Sequence, residues 1–389
     1  MRDDIHGRVA DGYEGVRAAF VKNFDLHGEV GAGFCAFVDG VCVVDLWGGV
    51  ADPESQRPWA ADTMAVGFSM TKGLSALLAN RLVAAGILDP AAPVADYWPE
   101  FAAGGKERVT VEQLLSHRAG LAVIEGEFTL DEALSWEPVV AQLAAQVPQW
   151  EPGTAHGYHL RSFGWLVGEL LRRVDPRHRT MGVQLHDDVC TPLGLADDLF
   201  VGLPSRFEPR VAMLVPPPAD AFDLVPRDWP LWRAMTGPSD RFRYDSMWNE
   251  PALHGAELPS SNGIGTARAF ASVYASLLGA GLATDTGPVR LLDDAAVERA
   301  TRPLASGPDR VILTDTAFGL GFMLPPSAPA AFGSTAFGHG GAGGSGAYAD
   351  RERGIAACYI MNRLRFDLED TRRERLFAAV TRCADALRA

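Results

Sequence analysis

Lysine is almost missing from this 389-residue chain: of 35 basic residues only Lys22, Lys72 and Lys106 are lysines, and arginine supplies the rest. The chain uses arginine wherever a bare positive charge suffices, so a lysine marks a place where the amine itself is wanted. Arginine keeps its proton under ordinary conditions, whereas a lysine desolvated among cationic or apolar groups can lose its proton and act as a base. Cysteine is scarce as well. Cys35, Cys42, Cys190, Cys358 and Cys383 are scattered, odd in number and without a Cys-x-x-Cys, which argues for reduced core thiols and against a disulfide framework or a thiolate-held metal. No run of about 18 apolar residues occurs, so no membrane span is expected. Long basic runs are absent and the net charge is −14, which argues against nucleic acid as a partner. Met1-Arg2-Asp3-Asp4-Ile5-His6-Gly7 carries acids where a signal peptide is basic, and no apolar core follows; the expectation is a cytoplasmic protein.

What is present is a globular composition, 47% hydrophobic and 22% charged, with ample material for one large or two ordinary domains. Residues 9–24 read as an amphipathic helix. Residues 31–38 and 41–50 flank Asp39-Gly40, a strong hairpin signal. From Ser69 to about residue 200 the pattern is mostly helical. A helix after Ser69 closes at Gly86, Thr110 and Gln113 form a candidate capping box, and another helix spans residues 160–174. Residues 201–260 hold ten of the 26 prolines, interleaved with aromatic residues. That stretch reads either as an irregular surface loop packed on its own rings or as a cap over an acyl pocket. A helix over 265–279 leads to short strands at 317–324, 336–340, 346–350 and 354–360, and a closing helix over 369–387. The simplest architecture is α/β (α+β), with one antiparallel sheet built from both ends of the chain and covered by terminal helices. The sheet domain comprises 1–63 and 265–389, and a mostly helical domain, 64–264, is inserted between them. The site is expected in the cleft where they meet.

The chemistry centres on Gly67-Phe68-Ser69-Met70-Thr71-Lys72-Gly73. If Ser69 opens the following helix, Lys72 lies one turn later on the same face, within hydrogen-bond reach of the hydroxyl. Ser-x-x-Lys alone is a weak pattern, and its bland reading is a surface lysine behind an N-capping serine. Tyr158, in a turn after Pro152-Gly153-Thr154, is a candidate third group, since a phenol near an ammonium can be held as phenolate and serve as base, then acid. Phe337-Gly338-His339-Gly340-Gly341-Ala342 offers small residues whose N–H groups can approach a substrate. His156 and His159 lack the spacing of a zinc helix and read as solvated turn histidines. No Gly-x-Ser-x-Gly occurs, and the His-Gly-Gly segment follows every plausible nucleophile, which sets aside an α/β-hydrolase.

Taken in order, Ser69-Met70-Thr71-Lys72, Tyr158 and His339-Gly340-Gly341 resemble the three motifs of the serine β-lactamase and penicillin-binding-protein superfamily. The resemblance is to its class C-like branch and the family VIII carboxylesterases in particular, and it spans nearly the whole chain. Supporting stretches are Leu114 to Leu121 and Asn262 to Arg268. The resemblance implies a class C β-lactamase-like fold and an acyl-enzyme on Ser69, without metal or cofactor. Lys72 and Tyr158 would share the proton, the N–H groups of Ser69 and Ala342 would form the oxyanion hole, and His339, Gly340 and Gly341 would line the substrate site. His339 is read there as a pocket-wall hydrogen-bond donor in preference to a base. Two departures matter. The third motif usually begins with a lysine that binds a carboxylate, and here it is His339. The second usually continues Tyr-x-Asn, and here it ends at Leu160. Both, with the expected cytoplasmic location, favour a neutral small-molecule ester as substrate. A cytoplasmic acyltransferase or amidase, a β-lactamase of the same fold, and a non-catalytic acyl-ligand sensor stay open, as does the oligomeric state.

Overall fold

The computed structural model describes residues 2–367 and 369–389. Its backbone is an antiparallel sheet whose strands run, edge to edge, Ile5–Val9, Val41–Asp52, Gly31–Val38, Ile355–Met361, Gly346–Asp350, Ala336–Gly340, Met323–Leu324, Asp315–Phe318 and Ala305–Pro308. Arg57–Pro58 adds a short pairing to Val41–Asp52. The expected hairpin forms, with Asp39 and Gly40 both at positive φ, as a tight turn between right-twisted strands requires. At the centre of the sheet the two ends of the chain meet, Ile355 opposite Val38 and Met361 opposite Ala32.

Helices cover both faces. Glu14–His27 packs on Arg372–Arg388, and Ala267–Ala275 lies against Gly31–Val38, Gly346–Asp350 and Ile355–Met361. These three strands are therefore buried almost throughout, which is why their sequences are continuous apolar or small-residue runs instead of an alternation. The Thr71–Ala84 helix is buried over its first ten residues and packs on Ser162–Val174. The Thr110–Gln113 capping box forms with both reciprocal bonds.

Three expectations shift. The first helix begins at Glu14, and Ile5–Val9 is an edge strand instead; only Ile5 of that strand is buried, so no periodic pattern marks it. The single strand expected at 317–324 is two, Asp315–Phe318 and Met323–Leu324, broken where Gly321, at φ +86°, runs against Ala76 too closely for a Cβ. Finally, 201–260 is neither one loop nor one element. It contains the helices Pro230–Thr236 and Pro251–Gly255 joined by tight turns, and its rings pack on one another and on Phe68.

Candidate active site

Ser69 sits two residues ahead of the Thr71–Ala84 helix, in a turn set by Phe68 at φ +46°. Such a conformation is costly for a bulky residue, and it is held from both sides. The Phe68 ring packs edge-on against Tyr244 and Trp248, at 5.4 and 5.0 Å between centroids, while Thr71 Oγ1 donates to the Phe68 carbonyl and accepts from Gly263 N–H. The three short strands Ala65–Val66, Ile264–Gly265 and Leu199–Phe200 pair just before this turn and fix its approach.

Lys72 is fully buried, and its Nζ has three polar neighbours: Ser69 Oγ at 3.1 Å, the Leu160 carbonyl at 2.6 Å and the Ser260 carbonyl at 3.0 Å. Burial drives the amine well below its ordinary pKa, with the Arg161 charge acting in the same direction. A neutral amine has two N–H groups and one lone pair. In that uncharged form, with the N–H groups given to the two carbonyls, the lone pair faces Ser69 Oγ and can accept its proton. The bland reading of Lys72 as a surface lysine is excluded.

Tyr158 is held by its backbone. Its N–H donates to both oxygens of the Asp309 carboxylate, at 3.1 and 3.0 Å, and its ring stacks on Phe318. Lys72 Nζ lies 4.9 Å from the centre of that ring. Burial pushes the phenol well above its ordinary value, the Ser69 hydroxyl partly opposing. Burial thus acts on both groups in the direction of their uncharged forms, amine and phenol, and against the ammonium and phenolate expected from residue types alone.

His339, on strand Ala336–Gly340, is also buried. Its Nδ1 lies 2.7 Å from the Gly340 carbonyl, which can only accept, so Nδ1 carries the proton. Burial lowers its pKa to about 3. Nε2 is then a lone pair, 3.3 Å from Tyr158 Oη, and the phenol donates to it. The imidazole thus accepts from Tyr158 instead of offering a donor to the pocket. The strand end brings Gly341 so close to the Ser69 turn that a Cβ would collide with the Gly67 carbonyl and Ser345 Oγ. Among the described residues neither Ser69 N–H nor Ala342 N–H is donated to a protein acceptor.

His156 and His159 are buried, not solvated. His156 Nε2 bonds Thr316 Oγ1, and His159 accepts from Leu121 N–H and bonds the Gly157 carbonyl. His117 accepts from His159 N–H and packs against Tyr158 and Phe318. Sequence reasoning missed Asp309 and Arg161, and it could not have found the two carbonyls that hold Lys72, since any residue supplies a carbonyl. Residues 216–246 line an open pocket of about 550 Å³ whose walls include Phe222, Trp232, Met235 and Tyr244, the last of which packs on Phe68 beside Ser69.

The chain matches the beta-lactamase family model over residues 16–381. It is 34% identical over 373 residues to the esterase/beta-lactamase LipL of Mycobacterium tuberculosis, covering 92% of this chain and 83% of that one. Among solved structures, a family VIII carboxylesterase superposes with a TM-score of 0.88 at 36% identity, covering 98% of this chain and all of that one. A penicillin-binding protein homologue from Caulobacter crescentus does so with a TM-score of 0.85 at 39% identity, over 98% of this chain and 100% of the other.

Proposed function

Because the chain belongs to the beta-lactamase family and is a serine hydrolase, we propose that it hydrolyses short-acyl carboxylic esters through an acyl-enzyme on Ser69. In the first half-reaction Ser69 Oγ attacks the ester carbonyl as its proton passes to Lys72 Nζ. The carbonyl oxygen becomes an oxyanion, stabilised by the N–H groups of Ser69 and Ala342. Tyr158 gives its proton to the departing alkoxide and is reprotonated at the expense of the Lys72 ammonium. The alcohol leaves. Water then attacks the acyl group, the same two residues taking its proton and returning it to Ser69 Oγ.

The observation that carries the choice of a neutral ester is His339. Where the resembled pattern has a carboxylate-binding lysine, this chain has a buried, neutral imidazole engaged with Tyr158. Residues 201–260 are the proposed cap, and the pocket beside Tyr244 the proposed seat for the larger part of the ester. The experiment is hydrolysis of p-nitrophenyl butyrate by the purified protein, with Ser69→Ala and a chromogenic cephalosporin in parallel. Ester turnover lost in the alanine variant, with little cephalosporin cleavage, is the expected outcome. Faster cephalosporin than ester cleavage would replace the esterase reading with a β-lactamase.

A further inference from the structure

Arg161 is buried to 4% exposure, yet no carboxylate pairs with it among the described residues. Its Nε donates to the Met235 carbonyl, and Nη2 has no hydrogen-bond partner. The guanidinium lies instead among aromatic faces, 5.7 Å from the centre of Phe242, 5.1 Å from Tyr244 and 5.0 Å from Trp248. Two of those rings are the ones that clamp Phe68, the residue before the nucleophile. The backbone of Arg161 is tied to the same place. Its neighbour Leu160 supplies one carbonyl to Lys72, and its own carbonyl accepts from Ser260 Oγ, whose residue supplies the other.

An aromatic cage of this kind is filled at lower cost by methionine or leucine than by an ion, because a buried charge without a counterion pays desolvation that stacking on rings only partly returns. The charge itself therefore needs a reason. We propose that Arg161 is a positioning residue for the reaction: a caged, uncompensated guanidinium beside the Ser69 and Lys72 pair, whose positive charge opposes a second one on Lys72 and so keeps that amine ready to take the serine proton.

The other titratable groups around Lys72 do not supply this effect. Tyr158 and Tyr244 are phenols, and the Tyr158 phenol is pushed upward by burial. His117, His159 and His339 are driven toward the neutral form by burial. The Asp309 carboxylate lies behind Tyr158, consumed by the N–H groups of Tyr158, Val311 and Ile312 and by the Thr316 hydroxyl. That leaves Arg161 as the buried charge tied to Lys72, its backbone flanked by the Leu160 carbonyl and bonded to Ser260, the two residues whose carbonyls hold the amine.

This inference rests on Lys72 acting as the base for Ser69, and its test is independent of the ester. The rate of Ser69 modification by a fluorophosphonate probe is measured against pH for the wild type, Arg161→Lys and Arg161→Met, with thermal unfolding recorded for each. Removing the charge raises the proton affinity of Lys72, so the acid limb in Arg161→Met moves to higher pH by about one unit, and Arg161→Lys restores it. Should Arg161→Met fail to fold, Arg161→Gln, which retains a donor for the Met235 carbonyl, carries the same comparison. A limb that stays in place when the charge is removed, or that moves equally in the lysine variant, overturns the proposal. Absence of any labelling of wild-type Ser69 would instead overturn the acyl-enzyme reading beneath it.

Discussion

Two of the three lysines are buried amines held by backbone carbonyls. Lys72 bonds the carbonyls of Leu160 and Ser260, and Lys106 those of Ala103 and Gln146, with burial lowering Lys106 to about 8. Their scarcity in the sequence therefore marked desolvated amines correctly, but not chemistry. What separates the two is the hydroxyl of Ser69, 3.1 Å from Lys72 alone. Arginine at position 72 keeps its charge at every accessible pH, so Lys72→Arg is expected to abolish ester turnover while circular dichroism stays native; retained activity would remove Lys72 as the base. Tyr158→Phe is expected to cost on the order of 10²–10⁴ in kcat, and a loss under tenfold would remove the phenol from the proton path. The same residues set a direction in pH. In the proposed mechanism Lys72 acts unprotonated, and its pKa is lowered in the fold, so activity is expected to fall as pH drops through that lowered value. His339, lowered to about 3, is neutral at ordinary assay pH and is expected to contribute no limb there.

At the scale of elements, the parts legible in the sequence were those whose signals are local. The Asp39-Gly40 hairpin, the capping box at Thr110, the helix before Val174 and the strands Ala336–Gly340 and Gly346–Asp350 follow from turn residues, caps and apolar spacing within a few positions. The edge strand Ile5–Val9 was not legible, because its reason for existing is Val44 to Gly48, some forty residues on. Nor was the conformation of Phe68, which depends on rings from positions 244 and 248. The order of the three motifs did locate Ser69, Lys72, Tyr158 and His339 in one place. The protonation states did not follow, since they depend on burial and not on residue type. The junction of strand Ala336–Gly340 with the Ser69 turn is tested by Gly341→Ala. Its methyl meets the Gly67 carbonyl and Ser345 Oγ, so the strand end must withdraw and carry Ala342 N–H with it. The expected result is a kcat loss of about 10–10³-fold, the range of a lost oxyanion donor or less, with the melting temperature little changed; unaltered kcat would detach this strand end from the oxyanion site.

Across the whole molecule, the two ends of the chain are bound together by a buried ionic cluster as well as by the sheet. Arg372, fully enclosed at the start of the last helix, reaches Glu29 and Asp370 and the carbonyls of Arg363 and Gly343, while Tyr359 donates to Glu29. Removing one partner strands the other's charge, so Arg372→Met is expected to destabilise the fold by about 3–5 kcal/mol in urea unfolding. Adding Glu29→Gln is expected to recover part of that loss, and no recovery would mean that packing, not charge, is what Arg372 contributes. The pairing of Gly31–Val38 with Ile355–Met361 carries a further consequence, in time instead of space. Gly31 N–H waits for Asn362 Oδ1, 331 residues later, so every motif from Ser69 to Ala342 leaves the ribosome before the strand that completes the centre of the sheet. Loop closure over such a span is slow. A chain cut before Ile355 would carry every residue of the proposed chemistry but lack the strand that joins Gly31–Val38 to Gly346–Asp350, so the sheet behind the site closes only after the site's own residues are all in place.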